Sequence, residues 1–520
     1  MLLKLRIIFS ILNIIYAILY RIVLLIRKKP QRIPPITDSL LTFSATALAK
    51  KIRQREITCY DVVNTHIQHI KKVNCILNAV IDNRFGEAIF EAKICDEQLA
   101  NGKFDIKTLE KEKPLYGIPV TVKECCAVKG CSHTGCSLGR KGMKASHDAL
   151  VIKLLRNAGA IPVCVTNTSE MCGGFESSNL LHGRTRNPYD TRYTSGGSSG
   201  GEGAGASVIG IGSDIAGSIR LPALFNGIFG HKPTAEIISN IGYIPESEDK
   251  LYQKLLTFGP MTRYAEDLGV FMKVLTSTSD HNLRLDVPVD LRQLKVYYRF
   301  GMDDALGMLP VVPEIKDCVQ KAVTHFTQYD IRPEKLPIEW PTELVEIVFS
   351  TFFSIKEIPN VLVDANDPKL KKNPVIEILK IPFGLSQHTM QTTFHALMFE
   401  MHFPFSESDI SHYTKQGKGI RQKLLDLLGE NGIFIYPTVR CPAILSEFTF
   451  CETLNDVYCA IFNVFGFPAV HIPMGLNHEG LPIGVQVIAA PYQDRLCLAV
   501  AKELETAFGG WEPPSISLRK

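Results

Sequence analysis

Helical and strand patterns alternate many times along this sequence, and this alternation limits the fold more than any other feature. Residues 148–169 show helix, turn and strand in "DALVIKLLRNAGAIPVCVTNTS", and residues 420–439 repeat that order in "IRQKLLDLLGENGIFIYPTV". The stretch "PLYGIPVTVKE" is a β-branched run between turn signals, which predicts a buried strand with Lys123 at its end. Because helices that alternate with strands cover both faces of a sheet, the sequence predicts an α/β fold.

The length of the chain allows one large domain or two to three of average size, since it has 520 residues. No short internal repeat and no clear second boundary divides the body of the sequence. The stretch "PQRIPP" is typical of a short linker. We therefore expect an N-terminal segment at residues 1–29, a linker at 30–39 and a single large domain at 40–520.

The charge pattern argues against a nucleic-acid partner. The formal net charge is +4, but the first 32 residues carry seven basic side chains and no acidic one. Of the 57 basic residues, 50 then remain against 53 acidic ones, so the body is close to neutral. A nucleic-acid-binding protein shows a basic stripe on its folded body, and this body has none.

The cysteines predict reduced thiols rather than disulfides or a metal site. Fourteen of them are spread over the chain without repeated spacing, which suits a cytosolic enzyme. The one local cluster consists of Cys125, Cys126, Cys131 and Cys136, with His133 among them. It lacks the C-x-x-C pairs typical of zinc sites, so we expect no metal and favour buried thiols.

The N-terminal segment is the most apolar part of the chain. The stretch Ile7 to Ile26 is twenty residues long with one charge, Arg21, and about 20 apolar residues are enough to cross a bilayer. A signal peptide would have a shorter apolar core and a small-residue cleavage site, and a buried helix is rare at a charge-flanked terminus. We expect a membrane helix that either spans the bilayer or lies in its interface. The heavier basic cluster after it favours a cytosolic body.

The glycine- and serine-rich stretch "TSGGSSGGEGAGAS", Thr194 to Ser207, has the composition of a flexible linker. A phosphate-binding loop would need G-K-[ST], which does not follow. A hydrolase nucleophile elbow would need a buried strand before the loop and a catalytic histidine after it. The candidate histidine, His471, lies in an apolar run and is more typical of a core histidine.

A set of three residues without histidine fits amide cleavage better: Lys123, Ser198 and Ser218. Amide cleavage needs an activated nucleophile, a proton donor for the departing amine and donors for the oxyanion. Ser218 ends the tight turn "DIAGS", whose successive N–H groups from Ile215 to Ser218 can point at one oxygen. Lys123 acts as a base only when neutral, and burial favours that form. Ser198 can then relay a proton between the two.

Four blocks together resemble the amidase signature family, in the family's order: "PLYGIPVTVKE", "TSGGSSGGEGA", "GSDIAGSIRLPALFNGIFGHKPT" and "GLPIGVQVIAAPYQD". The resemblance extends from about Leu40 to Pro514. It implies a large mixed sheet, Lys123 as the base, Ser198 as a relay after a cis peptide bond and Ser218 as the nucleophile. It also implies an oxyanion hole at Ile215, Ala216, Gly217 and Ser218, and neither a metal nor an organic cofactor.

Three further details concern this predicted site. The chain between Ser198 and Ser218 is about one helical turn shorter than the family pattern. Ala216 stands where family members usually have glycine, and a Cβ there costs about 1 kcal/mol if the residue needs positive φ. Cys172 is the one further residue that we assign to substrate binding.

The resemblance and the N-terminal segment together suggest a lipid substrate. They imply long-chain fatty-acid amides, such as N-acylethanolamines or primary amides, and an enzyme on the endoplasmic reticulum or on lipid droplets. The stretch Pro374 to Phe403 is rich in Phe, Met and Leu, which suits either a membrane-facing cap or an ordinary helix pair. Two alternatives stay open: a tethered amidase for small soluble amides, and an impaired scaffold. A homodimer is suggested by the resemblance alone.

Overall fold

The computed structural model describes residues 2–26, 29–205, 208–302, 308–359, 361–363, 370–401 and 405–514. Parts of three predicted features lie outside these ranges: residues 27–28 of the basic cluster, 206–207 of the glycine-rich loop and 402–403 of the 374–403 stretch. The described strands are β1 (Val80–Asn83), β2 (Pro119–Lys123), β3 (Ile161–Thr166), β4 (Ser178–Asn179), β5 (Gly183–Arg184), β6 (Ile209–Asp214), β7 (Phe229–Lys232), β8 (Thr257–Thr262), β9 (Lys295–Tyr298), β10 (Glu334–Lys335), β11 (Gly432–Tyr436), β12 (Ala469–Leu476) and β13 (Pro482–Ala489).

The α-helices of the described residues lie between these strands and at both ends. They are α1 (Leu2–Ile26), α2 (Ala45–Arg53), α3 (Cys59–Leu77), α4 (Phe85–Ala100), α5 (Ile106–Glu112), α6 (Leu150–Asn157), α7 (Gly200–Gly203), α8 (Arg220–Phe225), α9 (Lys250–Leu255), α10 (Ala265–Leu275), α11 (Pro313–His325), α12 (Leu344–Phe353), α13 (Pro374–Lys380), α14 (Met390–Met401), α15 (Glu407–Leu428), α16 (Val457–Phe465) and α17 (Asp494–Phe508).

Eleven strands form one sheet in the order β1-β3-β2-β6-β8-β7-β12-β13-β11-β9-β10, and β4 and β5 form a separate pair. Strand β2 is parallel to both β3 and β6, and β9 is parallel to β10 and β11. The pairs from β6 through β8, β7, β12 and β13 to β11 are antiparallel. The prediction of a large mixed sheet is therefore confirmed.

Both faces of this sheet are covered. Every residue of β3, β6, β8, β11 and β13 is buried, although successive side chains of a strand point to opposite faces. Helices α4, α10, α17 and α11 pack on β3, β8, β12 and β13 respectively. The predicted α/β architecture with helices on both faces is confirmed, and the burial of both faces explains why these strands are mostly apolar.

The sheet brings the predicted site residues to one edge. Strands β2 and β6 are parallel neighbours, with Val122 paired to Ile211. Because parallel strands end at the same edge of a sheet, Lys123 at the end of β2 lies close to the end of β6. The turn that carries Ser218 follows β6 directly and leads into α8.

The N-terminal stretch forms α1, which includes residues 7–26. Among the described residues, no helix combines the length and the hydropathy needed to cross a bilayer. One side of α1 packs on the body: the rings of Tyr16 and Tyr20 lie 5.4 and 5.1 Å from that of Phe448. Residues 29–38 then follow without regular secondary structure. The division at residues 29 and 39 stays a prediction.

Candidate active site

The Lys123 amine is fully buried and bonded to two serine hydroxyls. Its Nζ donates to Ser198 Oγ at 2.7 Å and to Ser213 Oγ at 2.9 Å. Ser213 belongs to β6, so the β2–β6 pairing itself supplies one of the two partners. The structure thus joins two of the three predicted catalytic residues directly.

The loop that carries Ser198 is held in place through the backbone carbonyl of that residue. The peptide bond between Gly197 and Ser198 is cis, as the family resemblance implied. The Ser198 carbonyl oxygen accepts hydrogen bonds from Thr168 Oγ1 at 2.8 Å and Ser177 Oγ at 2.9 Å. A side chain at position 197 would begin 2.4 Å from the Gly174 carbonyl oxygen, so the loop can pack here only with glycine. These contacts hold the Ser198 hydroxyl toward Lys123.

The turn that carries Ser218 is built around the buried carboxylate of Asp214. Its Oδ1 accepts the Gly217 N–H at 2.7 Å and its Oδ2 accepts the Ile219 N–H at 3.2 Å. The Ser218 carbonyl oxygen accepts the Ser199 N–H at 3.2 Å, which ties the turn to the serine-rich loop. The predicted nucleophile and the predicted relay therefore lie on two segments that are bonded to each other.

A buried arginine keeps this carboxylate charged. Arg220 Nε and Nη2 each donate to Asp214 at 3.1 Å, and Asn463 Nδ2 donates to Oδ1 at 2.9 Å. Burial raises the pKa of Asp214, but the charge and hydrogen bonds of Arg220 outweigh it and lower that pKa to about 2. The turn is thus held by an anion that stays ionised at any working pH.

Three of the four predicted oxyanion donors remain available. The N–H groups of Ile215, Ala216 and Ser218 bond to none of the described residues, whereas the Gly217 N–H is taken by Asp214. The assignment of Gly217 as an oxyanion donor stays a prediction. Gly217 also has a conformational role: its φ is +116°, and a Cβ there would lie 2.6 Å from Cys459 Cβ.

The structure also answers the question raised by the alanine in this turn. Ala216 is not among the residues with positive φ, so its Cβ causes no strain of that kind. The helix after the loop, α7, is only one turn long, from Gly200 to Gly203.

A cavity of about 420 Å³ opens in front of the turn. Ile215, Ala216 and Ser218 form one part of its wall, and Cys172 forms another. Burial raises the pKa of the Cys172 thiol, but hydrogen bonding with Cys125 and the charge of Lys123 lower it below its ordinary value. Most of the remaining wall is apolar, with phenylalanines from α12 and α14.

Comparison with known proteins identifies the family to which this chain belongs. The amidase family model matches residues 61–498. Human fatty-acid amide hydrolase 2 is 39% identical over 489 residues, which are 92% of this chain and 92% of that protein. Fatty-acid amide hydrolase 2-B of Danio rerio is 39% identical over 500 residues, which are 94% of each chain. The chain belongs to the amidase signature family.

Solved structures agree with this membership at the level of the fold. The structure of a fatty acid amide hydrolase has a TM-score of 0.70 at 21% identity and covers 91% of this chain and 86% of its own. That of 6-aminohexanoate cyclic dimer hydrolase with its substrate has a TM-score of 0.68 at 23% identity, covering 90% and 97%. As an amidase-signature hydrolase, the protein is an enzyme that acts on amide bonds.

Sequence reasoning missed the groups that hold the amidase residues in place. Ser213 and Asp214 stand in the quoted block "GSDIAGS", but nothing in their spacing distinguished them. Glu202, in "GGEGA", is buried against the sheet. Thr121 Oγ1 of β2 and Thr166 Oγ1 of β3 each donate to its carboxyl group at 2.6 Å. The sequence feature that could have pointed to Glu202 is its position as a single acidic residue within a run of small residues.

In the described residues, neither His471 nor the cysteine cluster forms a second catalytic or metal-binding site. His471 is buried in β12 and its Nδ1 lies 2.7 Å from Thr438 Oγ1, while burial lowers its pKa to about 3. The cluster cysteines Cys125, Cys126, Cys131 and Cys136 are buried, as expected. In the described part of the chain, no group of three His, Cys, Asp or Glu is arranged to hold a metal ion.

We predict opposite outcomes for two neighbouring substitutions in the turn. Gly217→Ala should lower kcat by roughly 10²–10³-fold, because its Cβ meets Cys459 and displaces the oxyanion donors. Ala216→Gly, the matched control, should leave kcat within about twofold of wild type, since residue 216 has no positive φ to relieve. Steady-state kinetics on one amide test both variants. A large gain from Ala216→Gly would contradict this account of the turn.

We predict a pH-dependent stability effect at Glu202. Burial raises its pKa from an ordinary 4.5 to about 7, although the bonds from Thr121 and Thr166 and the charge of Lys123 lower it. A raised pKa in the folded state stabilises the fold at low pH, and that contribution is lost as the pH rises through 7. The free energy of unfolding of Glu202→Gln should therefore exceed that of wild type by about 3 kcal/mol at pH 9. At pH 5 the excess should be less than about 1 kcal/mol.

Urea unfolding at the two pH values measures this difference. Wild type and Glu202→Gln are compared under identical conditions. An equal difference at pH 5 and pH 9 would show that Glu202 does not titrate in the folded enzyme.

Proposed function

We propose that the protein is a membrane-associated serine hydrolase that cleaves the amide bond of long-chain fatty-acid amides. The observation that carries the chemistry is the bond of 2.7 Å between Lys123 Nζ and Ser198 Oγ, both fully or almost fully buried. A buried amine whose hydrogen-bond partners are hydroxyl groups is suited to exchange a proton with them. Ser218 is tied to the same loop and lines the cavity.

In the proposed reaction, neutral Lys123 takes the proton of Ser198 while Ser198 takes that of Ser218. The Ser218 oxygen attacks the amide carbon, and the N–H groups of Ile215, Ala216 and Ser218 stabilise the oxyanion. The tetrahedral intermediate then collapses, and the proton returns through Ser198 to the departing nitrogen. Water hydrolyses the acyl-enzyme by the same route in reverse, which releases the carboxylic acid.

The lipid substrate is proposed from the apolar surface of the body. The face of α1 that does not pack on the body exposes a row of isoleucines, among them Ile14 and Ile18, which are 65% and 56% exposed. Phe448 contacts α1, and two residues later Phe450 packs on Phe394 of α14 at 5.2 Å. One segment thus connects α1 to α13 and α14, whose apolar side chains are exposed as well.

This surface lies next to the cavity, because α14 contributes to both. Phe394 is on its outer side, whereas His395, Ala396 and Phe399 line the cavity. Exposed apolar patches of this extent mark sites of interaction with a membrane or a partner. A monotopic arrangement, with α1 and α14 in the interface, would let a bilayer-dissolved amide enter without crossing water.

We predict that Ser218→Ala removes both hydrolysis and covalent labelling by a fluorophosphonate, because the reagent reacts with the activated nucleophile. Ser198→Ala and Lys123→Ala should each lower kcat by at least about 10²-fold, since proton transfer contributes that much or more. Ser195→Ala, a buried loop serine outside the proposed relay, is the matched control. Normal turnover by folded Ser218→Ala would refute the mechanism, whereas a folded wild type that is neither labelled nor active would favour the impaired scaffold.

We predict that the exposed face of α1 attaches the enzyme to lipid. The triple variant Ile14→Gln, Ile18→Gln, Ile22→Gln should bind phosphatidylcholine vesicles roughly tenfold or more weakly, because each change removes apolar burial. The control is Phe90→Gln, Ile106→Gln, which alters equally exposed apolar residues on α4 and α5. Cosedimentation measures binding, and a series of acyl amides of graded length measures kcat/KM.

Long-chain amides in vesicles should be cleaved more slowly by the triple variant, while a short soluble amide is cleaved at the wild-type rate. Equal vesicle binding by both sets of variants would contradict the proposed membrane surface. A wild type that prefers the short amides would favour the tethered soluble-substrate alternative.

A further inference from the structure

A buried carboxylate joins the segment before the cavity wall to helix α14. Glu170 Oε1 accepts hydrogen bonds from His388 Nδ1 at 2.8 Å and from Ser137 Oγ at 3.1 Å. Its Oε2 accepts the N–H of Thr389, the residue before α14, at 2.8 Å. His388 Nε2 lies 3.4 Å from Lys372 Nζ, which can only donate, so Nδ1 carries the proton that bonds Glu170. A carboxylate at the start of a helix is also stabilised by the helix dipole.

The residues that follow Glu170 form part of the cavity wall in a strained conformation. Met171 and Cys172 line the cavity, and their φ angles are +49° and +59°. Left-handed backbone is unfavourable for residues other than glycine and persists only where the surroundings enforce it. Thr392 Oγ1 of α14 donates to the Glu170 carbonyl at 3.5 Å, so α14 contacts the backbone here as well as the carboxylate. The contacts with α14 therefore help to hold this wall in its shape.

The same segment holds the peptide of Ser198. Thr168 Oγ1 donates to the Ser198 carbonyl oxygen at 2.8 Å, two residues before Glu170. At the other end of the segment, the Gly174 carbonyl oxygen would lie 2.4 Å from a Cβ at Gly197, so the two backbones are in close contact. Residues 168–174 thus contact α14 through Glu170 and the loop of Ser198 through both of their ends. A shift of this segment would therefore displace the Ser198 hydroxyl.

We propose that Glu170 is a positioning residue, which fastens residues 168–174 to α14 and thereby places the Ser198 hydroxyl for proton transfer. This inference rests on the proposed function, because it assumes that Ser198 relays the proton between Lys123 and Ser218. Among the described residues, Glu170 is not part of the cavity wall, so it acts without touching the amide. Its loss therefore lowers kcat and leaves KM unchanged. Helix α14 then supports the catalytic loop as well as the cavity.

The first test uses the full chain and one short, soluble amide, so that a change in the apolar part of the cavity has little effect. Glu170→Ala should lower kcat by roughly tenfold or more, with KM within about twofold of wild type. Misplacing a catalytic group by about 1 Å costs roughly 10²-fold, and a looser loop gives part of that loss. Labelling of Ser218 by a fluorophosphonate should slow by a similar factor, because it needs the same activated hydroxyl.

Two variants of His388 test the same contact from the side of α14, also if Glu170→Ala does not fold. His388→Leu removes the donor to Glu170 and should lower kcat by roughly threefold to tenfold. His388→Asn places an amide nitrogen near the position of Nδ1 and should restore kcat to within about twofold of wild type.

The matched control is Asp267→Ala, on α10. Asp267 is a buried carboxylate that accepts the N–H groups of Ala45 and Thr46 at the start of α2, at 2.9 and 2.8 Å. It therefore resembles Glu170 in burial and in binding the first residues of a helix, but it belongs to a different part of the fold. Asp267→Ala should lower the free energy of unfolding, measured in urea, and leave kcat unchanged.

A folded Glu170→Ala enzyme with the kcat of wild type would overturn the inference, and so would equal kcat values for His388→Leu and His388→Asn. A change in KM alone would assign Glu170 to substrate binding instead. An equal loss of kcat in Asp267→Ala would show that the effect follows from stability. If Ser198→Ala turns over like wild type, the proposed function itself fails. If Ser198→Ala is impaired and Glu170→Ala is not, only this inference fails, so the two failures are distinguishable.

Discussion

The Lys123 amine is buried at the end of an apolar strand, and the active site is organised around keeping it there. Burying an amine costs free energy unless hydrogen bonds replace its water. Here Ser213 on the neighbouring strand and Ser198 on the glycine-rich loop replace it, at 2.9 and 2.7 Å. The loop must therefore approach the sheet closely, which explains why position 197 cannot carry a side chain. Strand pairing, loop packing and the proposed proton transfer thus involve the same amine.

A second buried system, Asp214 with Arg220, orders the turn that carries Ser218 and the proposed oxyanion donors. The Asp214 carboxylate accepts the Gly217 N–H, and Ile215, Ala216 and Ser218 of the same turn line the cavity. The pair is satisfied by several hydrogen bonds, which is the condition under which buried charges are tolerated. Preorganised donors of this kind need no rearrangement during the reaction. The proposed base and the proposed oxyanion donors are therefore held by separate networks.

The cavity combines two kinds of wall, and this combination relates the chemistry to the proposed substrates. Phenylalanines of α12 and α14 line the side that suits an alkyl chain, and α14 also carries exposed apolar residues on its outer side. Polar side chains line the same cavity, among them His395, Glu400 and Asp456. An apolar lining with a few polar groups is typical of a small-molecule site.

The α/β fold could be predicted from the amino-acid sequence, because the helix–strand alternation and the apolar runs reflect burial directly. Lys123, Ser198 and Ser218 could be named from the sequence as well, since their motifs are local. Other features depend on how the chain packs in three dimensions. Whether Gly217 or Ala216 carries positive φ depends on the path of the turn past Cys459. The Asp214 carboxylate that shapes this turn is also bonded by Asn463, 249 residues away in the chain, and no local pattern encodes such a contact.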